Sequence, residues 1–329
     1  VNREIGVPQT VVGEAGTVTG RMSFADQVVL VTGAARGLGR SYAELLASRG
    51  AHVVLNDIGV SAGGVDPSPD IAEAAAADLR RSGGSVIADS SDISTEAGAE
   101  QAVATALEGF GRIDAVVNNA GFVRSGDIGS TSLADFTSMI DVHAKGAFLI
   151  ARAAWRPMKE QGYGRIVLVT SSGAIHGQRG LCGYAAGKGA VIGMTHALAV
   201  EGASLGISIN AIAPLAYTRL AAGIPDEEHR AHFERHAHVD QVAPLAAVLA
   251  HRTCPVNGMI LDAGGGRFAR VFVTEGDGYI DPAPTPELVR DHFDAILSDA
   301  GCQTARDTDE AVARTVALVE AQAAISARS

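Results

Sequence analysis

Three side chains able to serve one proton transfer lie close together in the second half of the chain: the hydroxyl of Ser171, the phenol of Tyr184 and the ammonium of Lys188. Tyr184 and Lys188 stand four apart at the head of the apolar run Ala185 to Val200, which reads as a helix, so both project from one face. Ser171 lies thirteen residues before Tyr184, at the end of a strand expected over Arg165 to Thr170. A free tyrosine ionises near pH ~10, so it needs a neighbouring cation to exchange protons near neutrality, and Lys188 is placed to be that cation. A tyrosine and lysine at this spacing could equally be an ordinary helix face, so the reading depends on what else the chain carries.

The N-terminal half supplies the partner. Gln27 to Thr32 is a short β-branched apolar run, of the kind that fills a buried parallel strand, and it leads directly into Gly33, Gly37 and Gly39. Glycines there let the backbone turn sharply and approach a pyrophosphate held at the N-terminus of the helix that follows, to which Leu38 also belongs. The spacing is not that of the common dinucleotide fingerprint, and a glycine turn alone could be a tight connection. Asp57 decides between the two: it ends the second strand, where a carboxylate accepts hydrogen bonds from ribose hydroxyls. Arg36, inside the glycine loop, could instead pair with a 2′-phosphate. The carboxylate repels a phosphate at the ribose edge, so NAD is favoured over NADP as cofactor.

The elements that must position these residues alternate regularly. Strands are expected over His52 to Asp57, Ser85 to Ala88, Asp114 to Asn118, Ile207 to Ile212 and Gly258 to Asp262, besides the two already named. Helices are expected near 70 to 82, 95 to 110, 134 to 160, 184 to 204 and 240 to 251, after a first one ending about Arg49. The pattern predicts an α/β fold, a doubly wound, seven-stranded parallel sheet of the Rossmann type. Gly59 to Asp70, with a Gly-Gly pair and two prolines, reads as a surface loop inserted after the second strand. Three regions follow: a leader over 1–22 in which Met22 marks the first organised segment, a dinucleotide-binding domain over 23–266, and a helical C-terminal arm over 267–329. In the arm Thr285-Pro286 reads as an N-cap and first helical residue, and a second amphipathic run occupies about 309 to 325. The arm is expected to pack on the sheet domain or on a partner subunit.

Composition narrows the function class. Hydrophobic residues make up 47% and charged ones 19%, with 39 glycines, the balance of a folded α/β protein rather than a disordered chain. A net charge of −11 argues against nucleic acid or an anionic membrane surface as the main partner. No apolar run approaches the roughly 18 residues of a membrane span. Cys182, Cys254 and Cys302 are far apart and show no metal spacing, so no metal is expected, and a reducing cytoplasmic setting fits best.

With these features assembled, the chain resembles the short-chain dehydrogenase/reductase family. The resemblance rests on Thr32 to Gly39 (TGxxxGxG), on Asn118-Asn119-Ala120-Gly121 (NNAG), and on Tyr184 to Lys188 (YxxxK) with Ser171 ahead of it. It implies strand order 3-2-1-4-5-6-7, Tyr184 as acid/base, Lys188 also bound to the nicotinamide ribose, and Ser171, favoured over Ser172 by the pattern's spacing to Tyr184 and Gly177, as the hydroxyl that hydrogen-bonds the substrate oxygen and stabilises charge developing there. It further implies adenine contacts at Asp92 and Ile93, cofactor contacts at Asn119, Ala120 and Gly121, and carboxamide contacts from Pro214 to Thr218. Two positions depart from the pattern. Leu215 replaces the usual glycine after Pro214, and His143 stands where the family often has an asparagine that completes a proton relay. Histidine can also donate and accept, so His143 is read either as an altered relay or as a hydrogen-bonded structural residue.

A narrower likeness runs from Met22 to about Asp299, through Val53 to Gly59, Val142-His143, Arg152 to Trp155, Gly162 to Val167 and Ile212 to Pro214. These segments are similar to the dehydrogenase module of peroxisomal multifunctional enzymes of β-oxidation and to its stand-alone bacterial relatives, a subgroup that the histidine at 143 fits. The likeness implies NAD-dependent oxidation of a (3R)-3-hydroxyacyl-CoA to the 3-oxoacyl-CoA, with hydration left to another protein. A dehydrogenase of free secondary alcohols such as hydroxysteroids is the first alternative, to be decided by pocket residues around His176, Gln178, Tyr217 and the C-terminal arm. An NADPH-dependent 3-oxoacyl reductase and a non-catalytic cofactor-binding regulator stand behind it. The family also implies a homodimer or homotetramer built on the helices near 143 to 160 and 184 to 204.

Overall fold

The computed structural model describes residues 20–61, 63–218 and 227–326, which form two compact units, 20–271 and 272–326. The first is organised on β1 (Val28–Thr32), whose five residues are all buried. Parallel neighbours β2 (His52–Asn56) and β4 (Ala115–Asn118) flank it, and β3 (Ser85–Asp89), β5 (Gly164–Val169), β6 (Ile207–Leu215) and β7 (Ile260–Gly264) extend the sheet. The order is 3-2-1-4-5-6-7, with an eighth strand beyond it. The order of strands reverses at β1 and β4, which run parallel, so the connections leaving them cross to opposite faces of the sheet and leave a crevice at their carboxyl ends. The glycine loop and the NNAG segment are those two loops.

Burial on both faces explains why the strands read as continuous apolar runs. Val29 and Val31 join one core with Tyr42 and Leu46 of helix α1 (Gly37–Ser48), Leu79 of α2 (Asp70–Arg81) and Leu249 of a later helix. Val28 and Leu30 join the opposite core, with Val103 of α3 (Glu96–Phe110), Ile150 and Met158 further along and Val191 beyond them. Successive side chains of one strand therefore feed two hydrophobic layers.

The long helical stretch expected over 134 to 160 consists of α4 (Leu133–Ile140), a π-helical turn (Asp141–Lys145) and α5 (Gly146–Gln161). The wider turn carries His143, and single π turns of this kind recur at functional sites. Next come α6 (Ser172–His176), α7 (Cys182–Ala203), α8 (Glu227–His236) and α9 (Ala243–Ala250). Neither α6 nor α8 was expected: α6 spans only five residues, too few for a period, and α8 is a polar EEHRAHFERH segment without an apolar stripe.

The expectation of seven strands is corrected by β8 (Arg267–Val271), which pairs antiparallel with β7 through the turn Gly265-Gly266. The sheet unit closes at Val271 rather than at Gly266. In the second unit Thr285 caps α10 (Pro286–Asp291), as its sequence indicated, followed by α11 (Phe293–Ile296) and α12 (Thr308–Ser326). Arg314 ties this unit internally, donating to Glu275 O (2.8 Å), Asp277 Oδ1 (2.7 Å) and Gly301 O (2.7 Å). The expected leader lies outside the described residues up to position 19.

Candidate active site

Thr32 is the keystone of the glycine loop. Its buried hydroxyl donates to Asn118 Oδ1 (2.9 Å) and accepts from the backbone N–H groups of Asn119 and Ala120 (3.0 Å each). The Asn119 amide returns the tie, donating to the carbonyls of Thr32 (3.1 Å) and Gly33 (3.2 Å). Gly33 and Gly37 have φ of +63° and +54°, conformations that side chains disfavour. A Cβ on Gly33 would come within 2.7 Å of Ala120 Cα, and one on Gly39 would overlap the Gly33 carbonyl oxygen. The backbone is thus laid open as a cradle at the start of α1. Gly39→Ala is expected to weaken NADH or NADPH binding more than ~10-fold and to lower the melting temperature, since overpacking here moves backbone rather than a side-chain tip. Fluorescence titration checks this, and native affinity in the variant would refute the cradle.

Below the cradle lies a cavity of about 330 Å³, within the range of small-ligand sites. Of the cofactor-binding residues singled out from sequence, Gly33, Arg36, Gly37, Leu38, Asp57, Asp92, Ile93, Asn119, Ala120, Gly121 and Thr218 line it, while Gly39, Tyr184, Lys188 and Pro214 do not. Asp57 spends part of its acceptor capacity on the protein: Oδ2 accepts from Ala35 N (3.0 Å) and Oδ1 from Gly59 N (2.7 Å). Each oxygen keeps lone-pair capacity. Arg36 Nη1 donates to Val60 O at 3.2 Å, on the same cavity wall as Asp57. Asp92 Oδ1 accepts from the N–H (2.9 Å) and hydroxyl (2.7 Å) of Ser94, ordering the turn before α3. Ile58, Val60 and Phe122 also line the cavity and escaped the sequence reading. The cradle, the carboxylate and the cavity fit the adenosine and diphosphate portion of a dinucleotide. Among the described residues no cluster of three or more His, Cys, Asp or Glu is placed to hold a metal.

Pro214 sits in β6 opposite Ala263. The departure at Leu215 has a structural counterpart: a Cβ on Gly264, its partner across the strands, would overlap the Leu215 Cβ. Glycine on β7 makes the room that leucine on β6 takes.

The proton-transfer residues converge at the ends of β5 and β4. Ser171 is the N-cap of α6, its Oγ accepting from Gly173 N at 3.1 Å, whereas Ser172 is the first residue inside that helix. Tyr184 and Lys188 occupy the first two turns of α7. Burial raises the Tyr184 pKa, opposed by its hydrogen bond to Ser171. Lys188 is 5% exposed, and its Nζ donates to Val169 O at 2.6 Å. Burial pushes its pKa down to about 7. Its expected help to Tyr184 is not among the causes of the phenol's shift; in this structure its charge is felt at His143. Rigid attachment to the Val169 carbonyl fits that outcome.

His143 is buried beside this group, edge-on to the Tyr184 ring at 5.1 Å between centroids. Its Nε2 lies 2.7 Å from the Phe122 carbonyl, which can only accept, so Nε2 carries the proton. Nδ1 is then a bare acceptor, buried and without a hydrogen-bond partner among the described residues. Burial and, next, the Lys188 charge push the imidazole pKa down to about 3, the Phe122 bond opposing them. Glycines make its seat: a Cβ on Gly121 would overlap the imidazole Cε1, and one on Gly187 would stand 2.9 Å from the His143 Cβ.

Comparison with known proteins agrees with this geometry. The profile of the short chain dehydrogenases matches residues 27–228. The chain is 38% identical over 279 residues to peroxisomal multifunctional enzyme type 2 of Mus musculus, covering 84% of this chain but 37% of that enzyme. It is 36% identical over 281 residues to a short-chain type dehydrogenase/reductase of Mycobacterium tuberculosis, covering 85% of this chain and 97% of the relative. The full-length structure of peroxisomal multifunctional enzyme type 2 from Drosophila melanogaster superposes with a TM-score of 0.74 at 29% identity, over 91% of this chain and 50% of that one. A glycine cradle locked by Thr32 and Asn119, a Ser171–Tyr184 pair beside a buried lysine, and a profile spanning both place the chain in the short-chain dehydrogenase family, whose members are oxidoreductases using NAD or NADP.

Proposed function

We propose that this chain oxidises a (3R)-3-hydroxyacyl-CoA to the 3-oxoacyl-CoA, with NAD as its cofactor. The cofactor choice rests on one observation, the Asp57 carboxylate at the cavity wall, beside which the Arg36 guanidinium is engaged by Val60 O. A carboxylate there accepts from ribose hydroxyls and repels a 2′-phosphate. The substrate class rests on the resemblance to the multifunctional peroxisomal enzymes, which extends to His143. NAD held at this site would supply the acceptor for the hydride that leaves the carbinol carbon.

The chain's own residues handle the proton. Ser171 donates its hydroxyl hydrogen to the substrate oxygen, and Tyr184, as phenolate, takes the hydroxyl proton. Before substrate takes that hydrogen, the Ser171 hydrogen bond to Tyr184 lowers the phenol's pKa against the effect of burial. Lys188, held by the Val169 carbonyl, would contact the nicotinamide ribose and add positive charge. His143 stays neutral across the working range, since its pKa is about 3, and Nδ1 is available to accept a proton-relay hydrogen bond.

The test is NADH formation by the purified chain with (3R)- and (3S)-hydroxyacyl-CoA, with free hydroxysteroids, and with NADP in place of NAD. Turnover confined to the (3R) thioester with NAD is expected. Turnover of free alcohols alone would remove the thioester assignment, and a preference for NADP would remove the role given to Asp57.

A further inference from the structure

Among its described residues the stretch between β2 and α2 contains neither helix nor strand, yet it is fastened across the crevice. On its own side Ser68 N donates to Ile58 O (3.1 Å), while Gly64 N donates to Ser61 O (3.0 Å) and closes a turn. From the opposite side, in the segment that follows NNAG, Arg124 Nε donates to Gly63 O at 3.1 Å. The same guanidinium donates through Nη1 to Asp135 Oδ1 of α4 at 2.6 Å, and its central carbon lies 5.2 Å from the Phe122 ring centroid. Gly64, at φ +77°, lies against that ring so closely that a Cβ would stand 2.7 Å from it. The Phe122 carbonyl, in turn, accepts from His143.

We propose that Arg124 is a positioning residue for dinucleotide binding: by bridging Gly63 O, Asp135 and the Phe122 face, it pins the Ile58–Val60 wall of the cavity in its binding position. The inference rests on the dinucleotide reading of the cavity. Three features assign the effect to positioning rather than to general stability. The Arg124 side chain keeps 30% of its surface exposed and its partner Asp135 keeps 41%, and ion pairs this open add little to folding. Its acceptor on the loop is a backbone carbonyl, so the bond fixes the main chain whatever the loop side chains are. Only a planar fork can serve two oxygens while lying over a ring, a geometry that the lysine ammonium lacks.

Arg124→Ala and Arg124→Lys in the full chain would be compared with the parent protein by NADH fluorescence titration without substrate, by amide hydrogen exchange and by thermal unfolding. Removing this pre-organisation is expected to raise the NADH Kd about tenfold in the alanine variant and to a similar degree in the lysine variant. Amide exchange should quicken at 63–65 and not across the sheet, with little change in melting temperature. An unchanged Kd overturns the proposal. A raised Kd accompanied by faster exchange throughout the sheet also overturns it, because Arg124 would then support the fold. Failure of the parent protein to bind NADH or NADPH would instead overturn the cavity reading, and this proposal with it.

Discussion

Tyr184→Phe is expected to lower kcat by about a thousandfold or more while leaving the Kd for NADH within about threefold, because positioned proton transfer commonly contributes 10²–10⁴. The substitution removes one oxygen and keeps the ring that stands edge-on to His143, so the helix, the seat of the imidazole and the cradle are undisturbed. Ser171 remains to hydrogen-bond the substrate oxygen, but a hydroxyl of ordinary basicity cannot take its proton near neutral pH. The pH dependence carries the same signature. Burial raises the Tyr184 pKa, so the phenolate needed for oxidation is scarce at neutral pH and the parent rate should climb as pH rises. Residual activity in the phenylalanine variant should lack that climb. A kcat within tenfold of the parent, or an unaltered pH profile, would remove Tyr184 from the chemistry.

Much of this site is legible in the sequence because its parts are local. Gly33, Gly37 and Gly39 belong to one turn, Tyr184 and Lys188 to one helix face, and Asp57 to a strand end, so short spacing carries their meaning. What is not legible arises from contacts between distant segments. No spacing announces that Thr32 receives two backbone donors from the segment after β4, that Gly264 makes room for Leu215, or that Gly121 and Gly187 together seat His143. Arg36 illustrates the limit: its place in the glycine loop puts it near the ribose edge, but its partner is a carbonyl on a loop that only folding brings alongside. Strand β8 escaped for a different reason. Its sequence, RFARV, alternates charge with apolar residues over five positions, and it lies beyond the glycines that mark the end of the parallel pattern.

Lys188→Met is expected to abolish turnover and yet make the protein more stable at pH 7. The buried ammonium has one hydrogen bond, to the Val169 carbonyl, and burial lowers its pKa from an ordinary 10.5 to about 7. The unfolded chain therefore holds this proton more tightly than the folded one, so stability rises with pH between about 7 and 10.5 and the full penalty is present below about 7. Methionine fills a similar volume without a charge to desolvate, though it leaves the Val169 carbonyl without its donor. The net gain should be ~1–3 kcal/mol at pH 7, smaller than the shift alone implies because of that lost bond. It should shrink as pH approaches 10, where the parent lysine is already neutral in the folded state. Turnover should fall ~10³-fold with loss of the positive charge and of the ribose contact proposed for this side chain. Denaturant unfolding of both proteins at pH 7 and pH 10, together with steady-state kinetics, tests both halves. A variant less stable at pH 7 would mean that the ammonium is a net structural asset, and one that still turns over would mean that Tyr184 needs no cation. The expected pairing, stability gained and catalysis lost at one side chain, is what a strained, buried functional lysine should show.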